Sequence, residues 1–382
     1  MAPIKVLSVF GTRPEAIKMA PLVLELSSRD EFESVVAVTA QHREMLDQVL
    51  DLFKIKPDFD LNIMQKQQTL SSIVTRSLEG LVDIMENVKP DIVLVHGDTS
   101  TAFVGALAGY YAKVPVGHVE AGLRTYDIYS PFPEEINRRL VAPIAALHFC
   151  PTPDSKVNLE KENIHDGIYV CGNTAIDTVK LLYSSDHQFR ENGLSELGKD
   201  KRLIFMTAHR RENYGEPLHN IFRAVRRVID EHPDTELVYP MHLSPVVRQT
   251  AAQELSGHPR IHLIEPLQID DNLNLIGRSY LVLTDSGGIQ EEAPGLGKPV
   301  VVLRNDTERP EAITAGTAML AGNGYDEVYS AATALLDDPE LYSKMSHAVN
   351  PYGDGQASKR IVAAILNHFG LGEPPAEFSP RY

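Results

Sequence analysis

The residues best suited to chemistry fall in short polar clusters, each placed directly after an apolar run. The first is Gly11-Thr12-Arg13-Pro14-Glu15-Ala16-Ile17-Lys18. Glycine allows a tight turn, and proline at a first helical position starts a helix whose free N–H groups favour an anion. A plain βα turn with solvated charges would account for these residues, but Arg13 before the helix and Lys18 one turn in favour a ligand-facing role. The second cluster is His96-Gly97-Asp98-Thr99-Ser100, in which Asp98 or Thr99 could cap a helix or serve a site. The third, His118-Val119-Glu120-Ala121-Gly122-Leu123-Arg124, leads into Pro133-Glu134-Glu135. Acidic residues at a helix start are favoured by its dipole whether or not they react. If Asp98, Glu120 and Glu134 converge from three loops, their repulsion raises at least one pKa, which is how general acids and bases are made.

A second set follows later in the chain. Thr207-Ala208-His209-Arg210-Arg211-Glu212-Asn213 and Thr284-Asp285-Ser286-Gly287-Gly288-Ile289-Gln290-Glu291-Glu292 again sit at the ends of apolar runs. Ser-Gly-Gly opening a helix exposes backbone N–H groups that suit a diphosphate, and Glu292, about one turn in, could accept from ribose hydroxyls. Arg304 and Arg309 would supply the local positive charge that an anionic ligand needs. The first loop is not GxGxxG and carries no dinucleotide fingerprint. Gly295-Leu296-Gly297-Lys298-Pro299 lacks P-loop spacing, and the fourteen histidines show no metal-ligand spacing. No cofactor and no metal are expected.

Short Val/Ile/Leu runs alternating with amphipathic stretches must position these clusters, the pattern of βα units and parallel sheets. Strands are expected near 4–10, 35–39, 91–95, 115–119 and 147–149, with helices near 14–29, 43–52, 69–88, 99–112, 133–145 and 153–161. The alternation restarts with strands at 202–207, 235–240, 260–264, 280–284 and 299–303, and helices near 215–231, 244–254, 269–278, 286–295 and 325–347. The fold class is therefore α/β, with two Rossmann-like doubly wound domains. Such domains present ligand-binding loops at the carboxyl ends of their strands, here expected to face a shared cleft. The expected domains are 1–171, with a last helix at 356–370 packing back on it, then 172–355, and a loose Pro-rich tail at 371–382.

A net charge of −16 argues against a nucleic-acid or anionic-membrane binder, so any anion site must concentrate its arginines locally. Cys150 and Cys171 lack Cys-x-x-Cys spacing and are expected to be buried free thiols. The N-terminus reads as a first strand rather than a signal peptide, and no apolar run reaches the roughly 18 residues of a membrane span. A soluble, cytoplasmic protein is expected.

The segments FGTRPEAIKMAPL, TAQHREMLDQVL, VHGDTSTAF, GHVEAGLRT, PFPEEINR, CGNTAIDT, TAHRREN, TDSGGIQEEAP, ERPEA and NPYGDGQAS occur in one order along the chain. Together they resemble the non-hydrolysing bacterial UDP-N-acetylglucosamine 2-epimerases, nearly end to end. The resemblance implies the two-lobe arrangement also seen in GT-B glycosyltransferases, with UDP held mainly by the second lobe, and a homodimer. It implies interconversion of UDP-GlcNAc and UDP-ManNAc by elimination of UDP to 2-acetamidoglucal and re-addition, supplying ManNAc for cell-surface polysaccharide. Lys18, Asp98, Glu120, Glu134 and His209 match the family's catalytic positions. Arg13, His209, Ser286, Gly287, Gly288, Glu292 and Arg309 match those that grip UDP.

The chemistry agrees with this composition. The C2 proton of an acetamido sugar becomes removable only as UDP leaves C1, so a site must stabilise the leaving diphosphate and place a base at C2. Delivery of a proton to the opposite face requires a further acid. Two places depart from the family pattern. Asn272 stands where members usually carry an aromatic residue near the uracil ring. Many bacterial members also bind a second UDP-GlcNAc as activator; Gln41, Glu134, Arg210 and His242 match that site. Glu44 and Gln67 stand where glutamine and arginine are common, so altered activation is expected. The rival readings are a hydrolysing epimerase, which releases free ManNAc, and a GT-B glycosyltransferase, which has no need of three first-lobe carboxylates.

Overall fold

The computed structural model describes residues 2–40, 43–64 and 69–380, without the side chains of Arg43 and Glu44. The chain divides into two units, Met1–Thr178 with Tyr352–Ser379, and Val179–Pro351 with Pro380–Tyr382. In the first unit the described strands are β1 (Ile4–Phe10), β2 (Phe32–Val38), β3 (Phe59–Asp60), β4 (Ile92–His96), β5 (Val116–Val119), β6 (Leu147–Cys150) and β7 (Ile168–Val170). Each is followed by a helix: α1 (Arg13–Ser27), α2 (Arg43–Leu52), α3 (Leu70–Val88), α4 (Ser100–Tyr111), α5 (Glu134–Val141), α6 (Pro153–Lys161) and α7 (Thr174–Leu182). The strands pair in parallel in the order β3-β2-β1-β4-β5-β6-β7. Helices on both faces explain why Ile92-Val93-Leu94-Val95 is apolar without alternation, since all four side chains are fully buried.

The second unit repeats the plan. Its described strands are β8 (Arg202–Thr207), β9 (Thr235–Pro240), β10 (Ile261–Ile264), β11 (Leu281–Thr284), β12 (Val300–Val302) and β13 (Ala318–Leu320). They are followed by α8 (Glu216–Glu231), α9 (Pro245–Leu255), α10 (Ile269–Arg278), α11 (Gly287–Gly295), α12 (Pro310–Thr314) and the pair α13 (Tyr325–Asp337) and α14 (Pro339–Ser346). The parallel order is β10-β9-β8-β11-β12-β13. Leu218, Ile221, Phe222, Val225, Val228 and Ile229 recur at helical spacing on α8, and all are buried in the core of this unit. Both sheets therefore share the strand order 3-2-1-4-5-6, extended by a seventh strand in the first unit, and the order reverses between the first strand and the fourth. The fold is α/β with two doubly wound sheets.

Several details differ from the sequence expectations. The pattern at 325–347 predicts one helix, but Pro339 cannot donate to the preceding turn, and two helices form. Asp338 then starts the second by accepting from the N–H groups of Glu340 and Leu341, at 2.9 and 3.0 Å. The C-terminal tail, expected to be loose, is held in the first unit. Phe378 is buried and its N–H donates to the Val170 carbonyl at 2.7 Å. Before it, α15 (Ala357–His368) packs on α1, and Asp177 accepts from the N–H groups of Ala357 and Ser358, at 3.1 and 2.8 Å. Cys150 and Cys171 are buried free thiols, and burial pushes both well above the ordinary thiol pKa. No helix among the described residues is long and apolar enough to cross a membrane.

Candidate active site

In the first unit the polar clusters follow β1, β4 and β5, which are adjacent in the sheet at its reversal point. The loop after β1 is set by Glu15. Its buried carboxylate accepts from the N–H groups of Gly11 and Thr12 at 3.0 and 2.8 Å, and from the Thr99 hydroxyl at 2.7 Å. Burial raises its pKa against those donors. A side chain at Gly11 would put Cβ 1.9 Å from Thr39 Oγ1, so only glycine lets β1 turn this close to its neighbour. Arg13 opens α1, and Lys18 follows one turn later on the same helix.

Lys18 donates to the Glu120 carboxylate, and so does the Asn173 side-chain amide, at 3.1 Å. His96 Nε2 stands 3.9 Å from the other carboxylate oxygen. Glu120 adopts φ +63°, a region that non-glycine residues enter at a cost and that clusters at functional sites. Asp98 follows β4 at the next turn, where the Arg138 guanidinium donates to its carboxylate and Asn137 donates to its carbonyl at 2.9 Å. Glu134 opens α5 one turn before Arg138, on the same face. Glu135 instead holds the preceding loop. It is fully buried and accepts from the N–H groups of Thr125 and Tyr126, at 3.0 and 3.2 Å. Burial holds His96 and His118 neutral, with pKa values lowered to about 4 and about 3. His118 Nε2 therefore keeps its proton and donates it to the Gly97 carbonyl at 2.7 Å, fixing the turn before Asp98.

In the second unit the clusters follow β8 and β11, again neighbours at the reversal point. The fully buried Asp285 organises them. It accepts from the N–H groups of His209 and Arg210, both at 2.8 Å, and from the Asn213 amide at 3.1 Å. His209 Nδ1 stands 3.5 Å from the same carboxylate, and its ring stacks on His242 with centroids 5.2 Å apart. Burial lowers the His209 pKa, against the pull of Asp285. Ser286, Gly287 and Gly288 open α11, and a Cβ on Gly288 would lie 3.6 Å from the Glu292 carboxylate. A Cβ on Gly287 would lie 3.9 Å from the Arg210 guanidinium. Arg309 donates to Glu291, while Arg304 pairs with Glu212 at 2.5 Å and lies near Asp306 and Glu308. The arginines after β12 thus carry carboxylate partners of their own.

Of the residues singled out by sequence, the first unit contains Arg13, Lys18, Asp98, Glu120 and Glu134, and the second contains His209, Arg210, His242, Ser286, Gly287, Gly288, Glu292 and Arg309. Gln41 and Gln67 lie outside the described residues, as does the side chain of Glu44. Asn272 is half-buried in the first turn of α10. Sequence reasoning missed Glu15, Asn173, Arg138 and Asp285. Thr12-x-x-Glu15 has capping-box spacing that could have marked Glu15. Among the described residues, His187, Asp270 and Asp271 bring metal-capable atoms within 4.8 Å of one another. Arg190 already donates to Asp270 at 2.8 and 2.7 Å and stands 3.1 Å from Asp271, which matches those charges.

The sequence model of the UDP-N-acetylglucosamine 2-epimerase family matches residues 24–366. The UDP-N-acetylglucosamine 2-epimerase of Bacillus subtilis strain 168 is 56% identical, over all of this chain and all of that protein. A crystal structure of a UDP-N-acetylglucosamine 2-epimerase superposes with a TM-score of 0.92 at 53% identity, covering 99% of this chain and 100% of that chain. The UDP-GlcNAc 2-epimerase of Neisseria meningitidis, solved bound to UDP-GlcNAc, gives a TM-score of 0.84 at 49% identity, over 95% of this chain and 100% of that chain.

Proposed function

This chain belongs to the UDP-N-acetylglucosamine 2-epimerase family, and on that premise we propose that it interconverts UDP-GlcNAc and UDP-ManNAc without net hydrolysis. The observation that carries this reading is the Glu120 carboxylate, which sits at a strand end with Lys18 and Asn173 both donating to it. The C1–O bond breaks with its electron pair going to the β-phosphate oxygen of UDP, and a carboxylate takes the C2 proton, leaving 2-acetamidoglucal. Re-addition reverses both steps, with a proton delivered to the other face of C2 and the phosphate oxygen returning to C1. Two of the three carboxylates Asp98, Glu120 and Glu134 act at C2 in this scheme. The open N-terminus of α11, with His209 and Arg309, serves the departing diphosphate. The route is redox-neutral.

Incubation with UDP-GlcNAc alone in D2O, followed by NMR at C2, tests the proposal. Deuterium should enter C2 of an intact UDP-sugar in both epimers. Free ManNAc with UDP would overturn the non-hydrolysing reading in favour of hydrolysis. An unchanged sugar in the absence of an acceptor would favour transfer instead.

A further inference from the structure

Asn173 lies immediately before α7, beyond Cys171 and Gly172 at the end of β7, 53 residues from Glu120 along the chain, and is 3% exposed. Both ends of its amide are engaged. The Ala175 N–H donates to Oδ1 at 2.9 Å, which secures the first turn of α7 and identifies that end of the amide as oxygen. The nitrogen end consequently faces Glu120 and donates to Oε1. The Asn173 backbone is also anchored, because its N–H donates to the Tyr352 carbonyl at 2.6 Å. Lys18 donates to the same carboxylate oxygen from α1, so two groups from different elements converge on one atom.

We propose that Asn173 is a positioning residue for the epimerisation, its amide holding the Glu120 carboxylate in the orientation that exchanges a proton at C2. This rests on the assignment of Glu120 to proton transfer. Glu120 has three side-chain torsions and departs from strand backbone at φ +63°, so the strand alone does not aim its carboxylate. Lys18 sits on a flexible stem and supplies charge more than direction. The short, buried amide of Asn173, fixed at its other end, supplies the direction. Displacing a reacting group by about 1 Å costs on the order of 100-fold in rate.

Asn173→Ser and Asn173→Thr separate this role from helix capping. Both keep an oxygen for the Ala175 N–H, and neither presents an amide donor to Glu120. The expected result for both is a kcat for deuterium entry at C2 lowered roughly 10- to 100-fold, with KM for UDP-GlcNAc and the thermal midpoint close to those of the unmodified protein. A kcat within about threefold of the parent in both variants would overturn the proposal, as would a loss that appears only alongside a lowered thermal midpoint. Glu120→Gln, measured in parallel, should abolish turnover while UDP still binds. Near-native turnover in that variant overturns the assignment of Glu120 itself. An inactive Glu120→Gln beside active Asn173 variants overturns only the positioning role.

Discussion

A carboxylate as buried as that of Glu15 must satisfy its oxygens within the protein, and it does so by tying the loop after β1 to Thr99 in the loop after β4. Glu15→Gln should retain most of the stability. One amide oxygen still accepts from the Gly11 and Thr12 N–H groups, and the Thr99 hydroxyl can turn to accept from the amide nitrogen. Glu15→Ala takes the acceptor from three donors, at about 1–3 kcal/mol for the buried Gly11 N–H and less for the part-buried Thr12 N–H and Thr99 hydroxyl. Urea unfolding should place Glu15→Ala well below Glu15→Gln, and equal midpoints would show that these bonds contribute nothing. The capping spacing of Thr12 and Glu15 is legible in the sequence, but the link to Thr99, 84 residues away, is not. The same limit hid Asn173 and Asp285. Glycine clusters and charges at the ends of apolar runs advertise themselves because they break a local pattern. A neutral amide or a buried aspartate acquires its role only from tertiary contacts.

Elements were legible in proportion to their length. β4 and β8 each hold four apolar residues in a row, at 92–95 and 203–206, β1 is apolar apart from Lys5 and Ser8, and α8 repeats its apolar face over four turns. β3, β7 and β13 have two or three residues each, too few for a period to register, and only pairing with a longer neighbour makes them strands. The break between α13 and α14 was hidden for a different reason: apolar spacing persists across Asp338-Pro339, so periodicity outvoted the proline. Asp338 sits at the hinge as an N-cap, and Asp338→Ala should cost about 1 kcal/mol. Pro339→Ala should cost little, because alanine is a good first-turn residue and the cap remains. Denaturant midpoints of the two variants check this, and a larger loss for Pro339→Ala than for Asp338→Ala would show that the cap contributes less than the proline ring.

For the whole molecule, the distribution of buried histidines makes acid stability unequal between the two units. Burial lowers His96 to about 4, His118 to about 3 and His148 to about 4, and all three lie on neighbouring strands of the first unit. Unfolded, each would titrate near 6.5. Between pH 6.5 and about 4 the unfolded chain therefore binds protons that the folded chain refuses, and stability falls as pH falls. Glu15 and Asp177 act the other way, since burial raises their pKa values and the folded chain takes up their protons first. The net effect of these five groups is between one and three protons, or at most about 1.4 to 4 kcal/mol per pH unit. Burial also lowers His209 and His258 in the second unit, but neither residue is fully buried and no comparable row of histidines crosses its described strands. Hydrogen exchange read by mass spectrometry at pD 6.5, 5.5 and 4.5 should show amides of β4, β5 and β6 losing protection before those of β8, β9 and β11. His148→Gln should flatten that dependence by close to one proton. Uniform loss across both sheets would mean that surface charge, rather than these three imidazoles, governs acid unfolding.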